Sequence, residues 1–287
     1  MVDEDYTMKN FVISLTFANQ RRDHILSIFE KQSIEFSFFD AITPITLEQV
    51  AKDLDLDITK TDLAKSEIAC LLSHAALWKK AIDENLSYIA IFEDDIHLGE
   101  NADRFLTKSD WIPENCSIVK LEAFYPKVGV ASSSFRPLPM ERNLSSLKTV
   151  HMGCGGYILS QQSARELLSL LKQYDKLIPV DHIVFKDYMM KFPDGIFQML
   201  PALCIQDHLL AMRYNLENEH NNFSSFLEQD RNIRKGEYEY KAKNKMKRSL
   251  THKIRREGLR PVIQIMKCFK VLARKLRGER LVKVTFK

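Results

Sequence analysis

Strand-type and helix-type segments alternate along residues 10–205, and no other feature of the chain limits its fold as strongly. Residues 10–16 are a β-branched and aromatic run that reads as a first strand. Asn19 is a candidate cap for a helix over about 20–32, with Ile25, Ile28 and Phe29 on one face. Residues 34–39 form a second strand-type run, and 43–65 read as a loop with a short helix. The spacing of Ala69, Leu72, Ala76, Leu77 and Ala81 predicts a long helix over 66–85. Further strands are expected over 88–92, 117–124, 157–160 and 200–205. Helices are expected over 100–106, from a Ser160 or Ser163 cap to about 174, and over 183–190. Residues 126–148, with three prolines and little periodicity, read as a connecting loop of the kind that often serves as a lid. Such alternation predicts α/β layering over one central sheet.

The run Tyr-Ile-Ala-Ile-Phe over 88–92 ends in three acids, Glu93, Asp94 and Asp95. Ligands of open α/β sheets bind outside the carboxyl ends of the strands. Hard divalent cations take oxygen ligands, commonly carboxylates together with substrate phosphates. The triplet is thus a candidate metal–nucleotide site, although taken alone it reads more readily as a solvated acidic turn. Arg21 and Arg22 fall in the first turn of a helix, where the dipole favours anions, and a forked guanidinium suits a diphosphate. Glu67, Cys70 and His74 share one helical face and could touch substrate or metal, or simply satisfy one another. Gly153, Gly155 and Gly156 allow a close backbone approach without forming a dinucleotide fingerprint. Asp181 opens a helix, where it can act as a cap or as a base.

Charge is divided unevenly. Residues 231–287 carry 20 Lys or Arg against 4 Asp or Glu, and the other 230 residues carry 22 against 34. From Pro261, apolar positions Val262, Ile265, Met266, Phe269, Leu272 and Leu276 recur at helical steps, with cations on the opposite side. A basic amphipathic helix fits an anionic membrane surface; packing of that helix on the acidic body is the alternative. Nucleic acid is disfavoured, because no stacking aromatics accompany the charge. Five scattered cysteines without a Cys-x-x-Cys pair argue against a disulfide framework or zinc ribbon and for a reducing, cytoplasmic compartment. No secretory leader or membrane-spanning run is expected.

Four stretches together resemble glycosyltransferase family 25, the lipopolysaccharide-biosynthesis galactosyltransferases. They are Phe-Val-Ile-Ser-Leu over 11–15 with Arg21 and Arg22; Glu-Ile-Ala-Cys-Leu-Leu-Ser-His over 67–74; Ile-Phe-Glu-Asp-Asp over 91–95; and Gly-Gly-Tyr-Ile-Leu-Ser over 155–160 followed by Pro-Val-Asp over 179–181. Ala69 stands where the family usually has Gly. The resemblance implies a GT-A-like, Rossmann-like nucleotide-sugar domain with a mixed central sheet over residues 8–230, and a basic helical extension over 231–287. It implies an inverting hexosyltransferase that uses UDP-galactose and Mn²⁺ or Mg²⁺ and acts on a lipid-linked lipooligosaccharide. The enzyme is expected on the cytoplasmic face of the inner membrane, held by its tail. Leu15, Arg21, Glu67, His74, Glu93, Asp94 and Lys120 are then expected on the donor side. Gly155, Gly156 and the base Asp181 belong to the acceptor side, and Asp95, Glu93 and His208 are the expected metal ligands. A metal-dependent phosphohydrolase and a non-catalytic saccharide-binding protein at the membrane are the competing functions.

Overall fold

The strand that carries the acidic triplet, β3 (Tyr88–Glu93), is buried on both faces in the computed structural model, which describes residues 6–215, 274 and 276–287. Successive side chains of a strand point to opposite faces. Ile89 and Ile91 accordingly join the core beneath one helical layer, and Ala90 and Phe92 join the core beneath the other. The first layer contains α2 (Leu47–Asp53), α3 (Lys65–Asp83) and α5 (Gln161–Leu171), with Leu72, Trp78 and Leu167 buried against the sheet. The second contains α1 (Asn19–Glu30) and α4 (Asp103–Leu106), through Ile25, Phe29 and Phe105. Residues that keep both faces apolar leave chemistry only to the strand ends.

The topology brings several of those ends to one rim. β1 (Lys9–Ser14) pairs in parallel with β2 (Ser37–Asp40) and with β3. β9 (Gly156–Ser160) runs antiparallel between β3 and β5 (Ile118–Lys120), with Phe92 opposite Gly156 and Lys120 opposite Tyr157. The start of β9 therefore lies beside the ends of β3 and β5. β10 (Ile196–Leu200) continues the sheet in parallel with β5, followed by antiparallel β8 (Asn143–Ser146) and β7 (Arg136–Pro137). The mixed eight-stranded order is β2-β1-β3-β9-β5-β10-β8-β7. A separate pair, β4 (Ile96–Leu98) with β11 (Cys204–Gln206), closes over the rim just past the acids and leads into α8 (Asp207–Tyr214).

Several expectations change. Asn19 is not a cap: Ala18 holds that position and has no side-chain hydrogen bond. Ser160 does cap α5, its hydroxyl accepting from Ser163 N–H at 3.1 Å, but the helix ends at Leu171. The expected loop over 126–148 contains β7, β8 and another strand, β6 (Lys127–Ala131). β6 pairs antiparallel with β12 (Glu279–Lys283), whose sequence lies far away, so no local pattern announces the pairing. The strand expected over 200–205 is two strands, because Pro201 lacks the N–H that a continuous ladder needs. The helix after Pro179 runs Val180–His182, widens into a π-helical segment over Ile183–Tyr188 and ends with Met189–Lys191.

Residues 279–287 therefore belong to the body rather than to a separate extension. The buried Arg142 guanidinium donates to the carbonyls of Glu100, Pro201, Ala202 and Lys287, tying this returning segment to three distant loops. Of the amphipathic pattern after Pro261, Arg274 and Leu276 are helical and Arg277 lies in the turn that follows; the rest lies outside the described residues. No described helix is long and apolar enough to cross a membrane. The four described cysteines are free thiols.

Candidate active site at the carboxylate rim

Each acid of the triplet has a different set of partners. Asp94 accepts from the Ser14 hydroxyl at 2.7 Å and from Arg21 Nη1 at 2.6 Å, so its carboxylate locks the first helix to the end of β1. Glu93 and Asp95 share one donor: Gln206 Nε2 lies 2.8 Å from Glu93 Oε2 and 3.2 Å from Asp95 Oδ1. Asp95 is also fixed through its backbone, whose carbonyl accepts from Asp207 N–H at 2.8 Å. Arg22 turns the other way, donating to the carbonyls of Ser14 and Leu15 and pairing with Asp40. Arg21 is thus the arginine that faces the acids, and Arg22 and Leu15 form its structural footing.

The crowding shows in the protonation equilibria. Burial, then Glu122, Asp94 and Asp181, push the Glu93 carboxyl up to about 8, with Arg21 pulling the other way. Burial, then Glu93, push Asp95 up to about 7, against Arg21 and the Gln206 hydrogen bond. Burial works against the Arg21 charge, but Asp94, Asp95 and Glu93 outweigh it and raise that group. Two close carboxylates that resist ionising, spanned by a single N–H₂ donor, are a place where added positive charge is favourable. Their oxygens suit Mn²⁺ or Mg²⁺, so the residues fit the metal implied by the sequence. Glu93 and Asp95 would be the residues to hold such an ion, since Asp94 is committed to Ser14 and Arg21.

α3 contributes His74, fully buried behind Glu93. Its Nε2 is 3.8 Å from Glu93 Oε1, and its Nδ1 is 2.9 Å from the Tyr157 hydroxyl, which also accepts from Trp78 Nε1 at 3.0 Å. Burial lowers the His74 pKa to about 3, with Asp181 pulling the other way, so the imidazole is neutral at working pH. On the far side of the rim, Asp181 accepts from His182 N–H at 2.9 Å and from Gly153 N–H at 3.4 Å. It remains partly exposed and is electrostatically felt by both Glu93 and His74.

Other expected site residues do structural work. Glu67 Oε2 accepts from Ala64 N–H at 2.9 Å and finishes the start of α3. Lys120 is fully buried: its ammonium lies 3.0 Å from Glu122 Oε2, donates to Gly153 O at 2.7 Å and sits 4.0 Å over the Phe185 ring. That cation is spent inside the protein. Gly155 and Gly156 lie tightly against protein side chains. A side chain at Gly156 would run into Cys204 Sγ, and one at Gly155 would lie 2.9 Å from Gln206 Cγ. His208 is exposed on α8 and belongs to no metal-type grouping among the described residues, whereas its neighbour Asp207 binds His97 Nε2 at 2.8 Å. Ser14, Glu122, Tyr157 and Gln206 had no role expected of them. They are ordinary polar residues whose importance comes from distant neighbours, and only the position of Gln206 at a strand end hinted at one.

Residues 7–184 match the model of glycosyltransferase family 25, described as lipopolysaccharide biosynthesis proteins. The chain belongs to glycosyltransferase family 25. It is 37% identical over 238 residues to the lacto-N-neotetraose biosynthesis glycosyltransferase LgtB of Neisseria meningitidis serogroup B, covering 78% of this chain and 83% of that one. To LgtB of Neisseria gonorrhoeae it is 34% identical over 266 residues, 88% and 92% of the two chains. The lipooligosaccharide biosynthesis protein lex-1 of Haemophilus influenzae is 32% identical over 231 residues, 70% and 76%. A solved glycosyltransferase involved in glycosylation of the PBCV-1 major capsid covers 70% of this chain and 94% of its own at 8% identity. Its TM-score of 0.40 is too low to argue from. Family membership favours glycosyl transfer over phosphohydrolase chemistry or binding alone.

Proposed function

We propose that this family 25 member is a GT-A-like, inverting hexosyltransferase that moves galactose from UDP-galactose onto a lipooligosaccharide acceptor. The observation that carries the proposal is the Glu93–Asp95 carboxylate pair at the end of β3, with Arg21 on one side and Asp181 across the rim. The lipooligosaccharide acceptor follows the lipooligosaccharide biosynthesis role of the relative lex-1, and galactose follows the motif resemblance in the sequence.

Glu93 and Asp95 would hold a divalent cation, Mn²⁺ or Mg²⁺, whose charge would neutralise the donor diphosphate and make it a better leaving group. Arg21, anchored by Asp94, adds a second positive charge toward the diphosphate. His74 stays neutral and supports Glu93 from behind. The acceptor hydroxyl attacks the anomeric carbon as the bond to the UDP oxygen breaks. Asp181 Oδ2 takes the hydroxyl proton as the new glycosidic bond forms. Its partial exposure gives an acceptor access, and its backbone hydrogen bonds hold its direction. The basic residues between the body and β12 hold the enzyme to the cytoplasmic face of the inner membrane, where a lipid-linked acceptor resides. The exposed apolar side chain of Leu276 is in keeping with that contact.

The decisive experiment is UDP release from a panel of UDP-sugars with Mn²⁺, with and without a lipooligosaccharide acceptor. UDP-galactose is expected to be preferred, and the acceptor to stimulate release. Asp95→Ala is expected to lose at least ~100-fold in turnover, as for removal of a principal electrostatic stabiliser. Near-normal turnover in that variant overturns the cation assignment, and preference for another sugar overturns the donor.

A further inference from the structure

We infer that Cys70, His74 and Glu93 form a binding site for a thiophilic divalent metal of the Zn²⁺ class, next to the carboxylate pair and sharing only Glu93 with it. The sulfur of Cys70, a ring nitrogen of His74 and a carboxylate oxygen of Glu93 all lie within 4.8 Å of one another. A four-coordinate zinc ion with bonds of about 2.0–2.3 Å holds its donors roughly 3.3–3.8 Å apart. His74 Nε2 and Glu93 Oε1 already stand at 3.8 Å, so a small side-chain rotation of the half-buried Cys70 completes the set.

The second observation is the state of the His74 ring. It is wholly buried, and its Nε2 has no hydrogen-bond partner although it points at Glu93. Its other nitrogen is held by the Tyr157 hydroxyl, which is fixed in turn by Trp78. Metal-bound histidines generally donate their second N–H to an oxygen that fixes the ring, and Tyr157 meets that requirement. Cys70 and His74 are four residues apart on α3 and so share a face.

The donor set separates this site chemically from the one used for sugar transfer. Two carboxylates favour Mg²⁺ or Mn²⁺, whereas thiolate and imidazole favour Zn²⁺ or Co²⁺. Three protein ligands leave the fourth position to water. The inference does not depend on which sugar is moved, and its test reads metal binding without turnover.

Untagged full-length protein, stripped with chelator, is titrated with Co²⁺. One equivalent is expected to produce the near-ultraviolet thiolate-to-cobalt band together with the strong visible bands of a four-coordinate ion. Zn²⁺ should abolish both, and excess Mg²⁺ should abolish neither. Cys70→Ser should lose the thiolate band, and Cys116→Ser, at a buried thiol elsewhere, should keep it. In the wild-type chain, which avoids any folding defect, Zn²⁺ but not Mg²⁺ should slow alkylation of Cys70 as mapped by mass spectrometry. Absence of a thiolate band, its survival in Cys70→Ser, or alkylation of Cys70 at the same rate with and without Zn²⁺ overturns the inference.

Discussion

At the scale of single residues, the rim is an accumulation of negative charge that one arginine offsets only in part. The sign of its effect on stability follows from the shifts. Between its ordinary value of 4.5 and about 8, Glu93 in the folded protein keeps a proton that the unfolded chain has released, so stability falls as pH rises through that window. Asp95 acts the same way up to about 7. His74 acts oppositely: lowered from 6.5 to about 3, it adds stability as pH rises from about 3 to 6.5, and above 6.5 that gain is complete and constant. The carboxylates therefore dominate from pH 6.5 to 8. In metal-free protein the thermal midpoint should fall across that range, and Glu93→Gln should flatten most of the slope. An equal slope in the variant would show that Glu93 ionises normally. Asp181→Asn is expected to leave nucleotide binding within about threefold while reducing transfer by ~10²–10⁴, the usual contribution of a general base. Calorimetry with UDP and a transfer assay separate the two effects.

At the scale of elements, the glycines leading into and opening β9 decide how closely the rim can be assembled. Gly156 stands opposite Phe92 at the end of β3, and a methyl group there meets both Cys204 Sγ and the Phe92 ring. Gly156→Ala should cost about 1–3 kcal/mol, typical of overpacking a filled core, and should disturb the Glu93–Gln206 contact that β11 supplies. Urea denaturation measures the first effect and Mn²⁺ affinity the second. α3 matters at this scale for a different reason. It is capped by Glu67, pinned at its middle by Ser73 Oγ accepting from Ile42 N–H at 2.9 Å, and buried along one side, so His74 has one position available. The glycines were readable in the sequence as places of close approach, but the identity of the approaching group was not. Their neighbours Glu122, Cys204 and Gln206 are about 30 to 50 residues away in the chain.

At the scale of the whole molecule, the returning segment constrains how the basic region can be tested. Removing everything after residue 240 would also remove β12, unpair β6 and strip Arg142 of its bond to Lys287. Deleting 241–270 alone avoids that damage. This variant should lose binding to vesicles containing anionic lipid, and an unfolding free energy within about 0.5 kcal/mol of the parent value checks that the pairing of β6 with β12 is kept. Raising salt should weaken the parent's binding, because exposed charges are screened beyond about 10 Å at 0.1 M. Undiminished binding by the deletion variant would remove the membrane role from this region.

The α/β class, the place of the acidic triplet at a strand end, and the helix that carries Glu67, Cys70 and His74 were all determined by local pattern. Apolar periodicity depends on neighbours within a few residues, and it survives whatever the rest of the chain does. Tertiary structure alone decided how the three acids divide their work. Asp94 went to Arg21 and Ser14, while Glu93 and Asp95 came under one amide of Gln206, because an antiparallel β9 and a late strand pair brought those residues to the same rim. It also moved Lys120 from expected ligand contact to a buried ion pair, and turned a proline-rich connection into sheet through β10 and β12. Such assignments depend on partners tens to more than a hundred residues apart, whose meeting no local periodicity records.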